Sequence, residues 1–211
     1  RIGTLYLLAN LFKPRSDPLS SSTVPFQFFM QKIRKLYADS IMELKVTKNM
    51  VICAFMAALA VVLSYTTSIE VGPYIRIGFS GLPNRIVEFL FGPITGCIFG
   101  GALDVLKYII KPTGPFFFGF TFDAMLSGII YGSILYKKPI SIWRVLVAEF
   151  IVKLVINCGL NTLWISMLYG KGFMVLLPAR IIKNAIMLPI DTAIVYFSFR
   201  FVSRFKAHLH I

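Results

Sequence analysis

Asn157, Asn161 and Trp164 lie in one apolar run and Arg180, Lys183 and Asn184 in the next, with the turn Tyr169-Gly170-Lys171-Gly172 between them. Amides offer both hydrogen-bond donors and acceptors, and indole offers a flat apolar face with one N–H. Guanidinium and ammonium groups hold anions. A charged group in hydrocarbon costs roughly 3 kcal/mol on insertion scales, so it needs a partner, an aqueous cavity or a place near the interface. Concentrating such groups around one turn points to a pocket for an anionic, ring-bearing solute. Asn157, Asn161 and Trp164 follow one another at near-helical spacing and share one face.

The elements that hold these residues belong to a membrane. Of the 211 residues 57% are hydrophobic and only 15% charged, against about 25% charged in soluble domains, and the mean hydropathy is +0.76. The formal net charge of +13 comes from 22 Lys+Arg against 9 Asp+Glu. In a soluble chain that balance would suggest nucleic acid. Here the apolar runs outweigh that reading, and the cations read as loop anchors and pocket residues. At roughly 20 residues per span the length allows one bundle of about six helices. Cys53, Cys97 and Cys158 have no metal-ligand spacing and read as small packing residues. His208 and His210 have no acid or Cys beside them. No metal and no cofactor is expected.

Residues 1–43 read as an N-terminal extension, partly disordered or not native to the chain. Arg1 to Phe12 is too short to span, the stretch Lys13–Pro25 carries three prolines and a serine run, and Met30 is the expected natural start. Lys32, Arg34, Lys35, Lys45 and Lys48 then form a basic stretch that places the N-terminal side in the cytoplasm. Residues 44–202 are the membrane domain and 203–211 a cytoplasmic tail. Span 1 covers about 49–67, where Ala54 and Ala58 are spaced for close helix approach, either within the chain or to a partner. Residues 68–80 form an outside loop with a short extended segment after Gly72-Pro73. Arg76 in it is either an interfacial anchor or a ligand contact.

Gly81 to Ile110 would make one helix too long for a bilayer, and Gly92-Pro93 divides it into spans 2 and 3. Gly92, Gly96 and Gly100 mark a face of close contact. Arg85 with Glu88, and Asp104 with Lys107, are spaced as ion pairs. Lys111 to Gly119 is a second outside loop in which Phe116, Phe117 and Phe118 sit at the interface or roof a cavity. Span 4 covers 120–136, with Asp123 in its first turn, either capping the helix or contacting a ligand, and Gly128-xxx-Gly132 for packing. Span 5 runs from about 142 to 168, with Glu149 and Lys153 paired. Span 6 runs from about 175 to 201, with Asp191 as a deeper counter-charge. Basic clusters before span 1, between spans 4 and 5 and after span 6 fall on one side only if there are six spans and both termini are cytoplasmic.

No phosphate-binding loop, HExxH, CxxC or GxSxG is present, so the chain is expected not to be an enzyme and not to drive transport with an ATPase of its own. A solute pocket without an energy source implies a partner.

The segments IRIGFSGLP, EFLFGPITGCIFGGALDVL, KPTGPFFFGFTFDAMLSGIIYG, NTLWISMLYGKGF and LPARIIKN, in that order, resemble the substrate-binding S-component of energy-coupling factor (ECF) transporters, closest to the folate-specific branch. The resemblance covers residues 44–199. It implies an all-α S-component fold of six transmembrane helices in the cell membrane. It also implies high-affinity capture of folate at the outer face, and delivery through a transmembrane coupling protein with two cytoplasmic ATPases. Ala54-Phe55-Met56-Ala57-Ala58 is similar to the family's AxxxA pattern on span 1, which docks on the coupling protein. Lys107 and Lys111 give span 3 more positive charge than the resemblance leads one to expect.

Folate ends in a dianionic glutamate, for which Arg76, Arg85, Lys107, Lys111, Arg180 and Lys183 are candidate partners. Its pterin edge would be read by Asn157, Asn161 or Asp104. Its ring faces would stack on Tyr74, Phe116, Trp164 or Tyr169. The alternatives are an S-component for another small vitamin and an independent secondary permease.

Overall fold

The computed structural model describes the backbone of residues 23–66, 69–71, 75–77, 80–110, 112, 114–170 and 172–209, and side chains from residue 30 to residue 204 within those limits, outside residues 69–77. The chain falls into two compact units, residues 1–35 and residues 36–211. Of the first, only residues 23–35 are described, as part of helix α1 (Thr23–Glu43). Its Lys32, Arg34 and Lys35 are exposed.

Among its described residues the second unit is helical apart from one short hairpin and the turns between elements. Helix α2 (Thr47–Thr66) leads to strands β1 (Ile69–Val71) and β2 (Ile75–Ile77), which pair antiparallel with Glu70 opposite Arg76. This is the extended segment expected after Gly72-Pro73. Then follow α3 (Leu82–Ile110), α4 (Phe118–Leu135), α5 (Ile142–Val152), a π-helical segment (Lys153–Leu160), α6 (Asn161–Tyr169) and α7 (Phe173–Leu209). Among the described residues five segments are long and apolar enough to cross a membrane: Thr47–Thr66, Leu82–Ile110, Phe118–Leu135, Ile142–Tyr169 and Phe173–Arg204. Large apolar side chains such as Phe55, Trp143, Met174 and Phe197 are exposed on them. A lipid-facing surface accounts for that, and helices pair backbone groups within each segment, as hydrocarbon requires.

The 29-residue α3 is two helices, as the Gly92-Pro93 pair predicts. Gly92 has φ 87° and ψ −171°, open to glycine and hostile to a Cβ. The chain reverses there. A Cβ on Gly96 would stand 2.7 Å from Glu88 Cγ, and one on Gly100 would stand 3.6 Å from Asn84 Nδ2. Residues eight apart in one straight helix are about 12 Å apart, so residues 82–91 and 93–110 are antiparallel arms. Lys107 Nζ donates to the Ser80 carbonyl at 3.1 Å, which closes the open end of this helical hairpin. The five segments thus supply six helical arms. At ~1.5 Å per residue the first arm is about 15 Å long, half a hydrocarbon core.

Helix α4 lies against the second arm through glycines. A Cβ on Gly128 would strike the backbone of Gly96 and Cys97, and one on Gly132 would strike that of Gly92 and Pro93. The four-residue spacing of small residues on both elements is what allows backbone-to-backbone contact. Two apolar clusters flank this seam. One gathers Tyr131, Leu135, Val145, Ala148, Val195 and Phe199, and the other Ala60, Val87, Phe91, Phe99 and Leu103.

The closed end of the hairpin is finished by the last turns of α1, which composition alone does not mark as helix. Ser40 is fully buried. Its Oγ donates to the Phe91 carbonyl at 2.7 Å and accepts from the N–H groups of Ile94 at 3.1 Å and Thr95 at 3.2 Å. Thr95 Oγ1 donates back to the Ser40 carbonyl at 2.9 Å. Gly92 has no side chain to cap the second arm, and Ser40 caps it from another helix, with Pro93 at the tolerated first position. Tyr136 donates to Glu43 at 3.0 Å. Burial, together with the Glu43 carboxylate, pushes its phenol above the ordinary range and keeps it a donor. Ser40→Ala is expected to cost about 1–2 kcal/mol, read as a lowered melting temperature in detergent. An unchanged melt would show that the cap is dispensable.

The ion pairs differ from those the sequence spacing predicts. Arg85 does not take Glu88. Its Nε lies 2.7 Å from Glu149 Oε1 and donates to Tyr131 Oη at 3.1 Å. Glu149 therefore does not take Lys153, which pairs with Asp191 at 2.5 Å. Asp104 accepts from Thr121 at 2.8 Å, not from Lys107. Spacing of three or four favours a local pair only on an exposed helix. In a bundle, tertiary partners on facing helices compete and here prevail, since a buried charge is stabilised only by a tight partner. Asp191 is the deep counter-charge expected of it.

Candidate functional site

The expected polar cluster is built on a local irregularity of the segment Ile142–Tyr169. Residues Lys153–Leu160 are π-helical, and Asn161 N–H bonds the Ile156 carbonyl five residues back. The widened turn leaves the Asn157 carbonyl available to side chains. Thr162 Oγ1 donates to it at 3.0 Å and Arg180 Nη1 at 3.1 Å. Arg180 Nη1 also donates to Asn161 Oδ1 at 2.6 Å. Residues inserted into a helix in this way are frequent at functional sites. Arg180 and Asn184 are both buried, and Asn184 Nδ2 lies 3.2 Å from Cys158 Sγ.

Beside this bulge is a cavity of about 200 Å³. Its walls are Gly81 just before α3, Asn84 and Arg85 from the first arm of α3, Asp123, Ala124, Ser127 and Tyr131 from α4, and Val152, Ile156, Asn157 and Asn161 from the segment Ile142–Tyr169. Asp123 is only 5% exposed. It lies in the second turn of α4 and not at its start, because the helix begins at Phe118. It therefore does not cap the helix. Its Oδ1 accepts from Trp164 Nε1 at 3.1 Å. Asn161, with its oxygen turned to Arg180, also stands beside the Asp123 carboxylate. Trp164 packs on Phe117, with centroids 5.6 Å apart and planes tilted by 50°. Gly119 lets the two rings approach, since a Cβ there would meet both.

The structure thus brings together Arg85, Asn157, Asn161, Trp164 and Arg180 of the expected residues. Lys183, half-buried on α7, has Arg180, Lys153 and Asp191 as its charged neighbours. Asp104 and Lys107 face Thr121 and Ser80 and do not line the cavity. Phe116 is half-exposed and packs on Tyr108 at 5.0 Å, and Tyr169 is exposed at the end of α6. The side chain of Arg76 and all of Tyr74 and Lys111 lie outside the described residues. Of the phenylalanine run, Phe117 reaches the site. Ala54 and Ala58 are exposed on α2, beside Val51, Phe55 and Val62.

Sequence reasoning leaves out Asn84, Ser127 and Tyr131, and leaves Asp123 between helix capping and a ligand role. Asn84 reads as an ordinary polar residue at a helix start. Its relevance depends on the hairpin, which turns the first arm towards α4.

A family model for the "ECF transporter, substrate-specific component" matches residues 48–199. A folate transporter FolT of Clostridium novyi (strain NT) is 38% identical over 163 residues, covering 77% of this chain and 94% of the relative. A folate transporter FolT of Leuconostoc mesenteroides is 37% identical over 158 residues, covering 72% and 84%. A riboflavin transporter RibU of Staphylococcus aureus is 26% identical over 141 residues, covering 63% and 72%. A crystal structure of FolT bound with folic acid superposes with a TM-score of 0.67 at 32% identity, over 72% of this chain and 92% of that one.

Proposed function

The chain belongs to the substrate-specific component family of ECF transporters, and on that premise we propose that it is the folate-capturing subunit of an ATP-driven vitamin importer. The observation that carries this is the polar cavity beside Trp164 and Arg180 in a chain 38% identical to a folate transporter. Pockets for whole drug-sized ligands run from about 300 to 1,000 Å³. A cavity of about 200 Å³ suits the bicyclic pterin head, with the benzoyl-glutamate tail directed towards the open end of the helical hairpin. Arg76, Lys107 and Lys111 are then the candidates for the two tail carboxylates. Arg85 and Arg180 are engaged within the bundle and act by holding the walls. Lys183, Tyr74, Phe116 and Tyr169 are kept as contacts along the tail's path.

The positive-inside bias places the ends near Ser40, Lys137-Lys138 and Arg204 in the cytoplasm, with six membrane helices and the cavity opening outward at the plasma membrane. Delivery requires a transmembrane coupling protein and two cytoplasmic ATPases, and the exposed Ala54 and Ala58 are the docking face for the former. Calorimetric titration of the purified chain should give tight folate binding and none with thiamine or riboflavin. Folate-free protein that binds riboflavin instead would move the chain to the other branch. Uptake into liposomes by the chain alone would favour a permease. Ala58→Leu should abolish folate uptake in cells that carry the coupling module and leave folate binding within about twofold. Wild-type uptake would remove that face from docking.

A further inference from the structure

Asn84 and Asp123 stand on two walls of the cavity, one on the first arm of α3 and one on α4. Each is half engaged. Asn84 Nδ2 donates to Glu88 Oε1 at 2.8 Å, and Asp123 Oδ1 accepts from Trp164 Nε1 at 3.1 Å. Each keeps one oxygen, Asn84 Oδ1 and Asp123 Oδ2, that is buried and makes no hydrogen bond. Buried polar atoms are nearly always paired, so two left over beside one cavity call for an explanation. Both are acceptors. The amide that could have donated is held by Glu88, itself fully buried. Glu88 is thus a positioning residue, because it fixes which end of the Asn84 amide faces away from it.

Two leftover acceptors ask for a ligand edge with two hydrogen donors. An amino-oxo pyrimidine ring presents an exocyclic amine next to a ring N–H. The dioxo analogue presents a carbonyl in place of the amine, which would set lone pair against lone pair. We propose that Asn84 Oδ1 and Asp123 Oδ2 form an acceptor pair that selects a heterocycle carrying an exocyclic amine beside a ring N–H over the same ring with a carbonyl there. This rests on the folate reading for the identity of the ligand, and it adds what the site measures. Sites that hydrogen-bond a ligand donor reject analogues lacking it far better than apolar pockets reject a change of size. The same pair would exclude the dioxo edge of a flavin ring.

The test uses the purified chain and two head-group probes, pterin-6-carboxylate and lumazine-6-carboxylate, which differ at C2 in amine against carbonyl and at N1, where lumazine carries a hydrogen. Pterin is expected to bind about 10- to 100-fold more tightly. Equal binding, a lumazine preference or binding of neither probe overturns the proposal. Folate is titrated in parallel. Tight folate binding with equal head-group binding sinks the acceptor pair alone, and a pterin preference without folate binding sinks the folate reading alone. Asp123→Asn, which turns an acceptor into a donor, should reduce the pterin preference to within about threefold. Glu88→Gln, which lets the neighbouring amide turn over, should reduce it too at an unchanged melting temperature. A preference that survives both substitutions in folded protein overturns the assignment. Where either variant fails to fold, the wild-type comparison of the two probes decides.

Discussion

Gly132→Val should leave little folded protein, and Gly128→Val should do the same. A Cβ at either position would fall on backbone of the α3 hairpin and not on a side chain that can swing aside. The only relief is to part α4 from the second arm along the whole seam. Ordinary overpacking costs about 1–3 kcal/mol, and a backbone clash at the tightest contact of the bundle belongs above that range. Size-exclusion profiles and thermal melts in detergent would show aggregation or loss of a cooperative transition. Gly159→Ala is the matched control. The nearest atom to a Cβ there is the Leu154 carbonyl oxygen at 3.6 Å, an ordinary contact, so the change should lie within about 1 kcal/mol. A wild-type melt for Gly132→Val would mean that the seam is looser than described.

Arg180→Ala should weaken folate binding by about 100-fold, close to 3 kcal/mol. The guanidinium bonds the Asn157 carbonyl that the π segment leaves open, and it holds Asn161 by its oxygen. Without it, Asn161 is free to turn over beside Asp123, and both the bulge and the cavity wall lose their fixed geometry. Arg180→Lys keeps the charge, but its shorter side chain must bring one ammonium to the two oxygens that Nη1 reaches, and it should fall between. Folate titration of both variants, with a thermal melt to confirm folding, measures this. Unchanged affinity in Arg180→Ala would take the residue out of the site.

Much of this was legible in the sequence. Hydropathy places the apolar runs, Gly92-Pro93 divides the long one, and the glycine spacing on α3 and α4 marks the seam. The cluster of Asn157, Asn161, Trp164 and Arg180 is legible because amides and a guanidinium inside an apolar run have few reasons to be there. The pairings were not legible. Arg85, Glu149, Lys153 and Asp191 each have a local candidate and a distant one, and only the bundle decides between them. The π segment was hidden for a related reason. An extra residue in a turn leaves the composition unchanged, and it declares itself only when a carbonyl such as that of Asn157 finds side-chain donors. Asn84 and Asp123 meet through the reversal at Gly92, so neither residue carries the site alone. Helix α1 is not legible because the partners that tie its buried Ser40, and Tyr37, Asp39 and Glu43 beside it, to the later helices lie over fifty residues away.

That serine has a mechanical consequence. Ser40 joins three backbone groups across the hairpin's closed end, so residues 36–43 and the two arms of α3 are linked in series. A pull on α1 is shared among those bonds and the contacts of Tyr37, Asp39 and Glu43 beside them. The first arm carries Asn84 and Arg85 near its far end, about 10 Å along the helix from the joint. A small rotation at Ser40 is therefore multiplied by the length of that lever before it reaches the cavity wall.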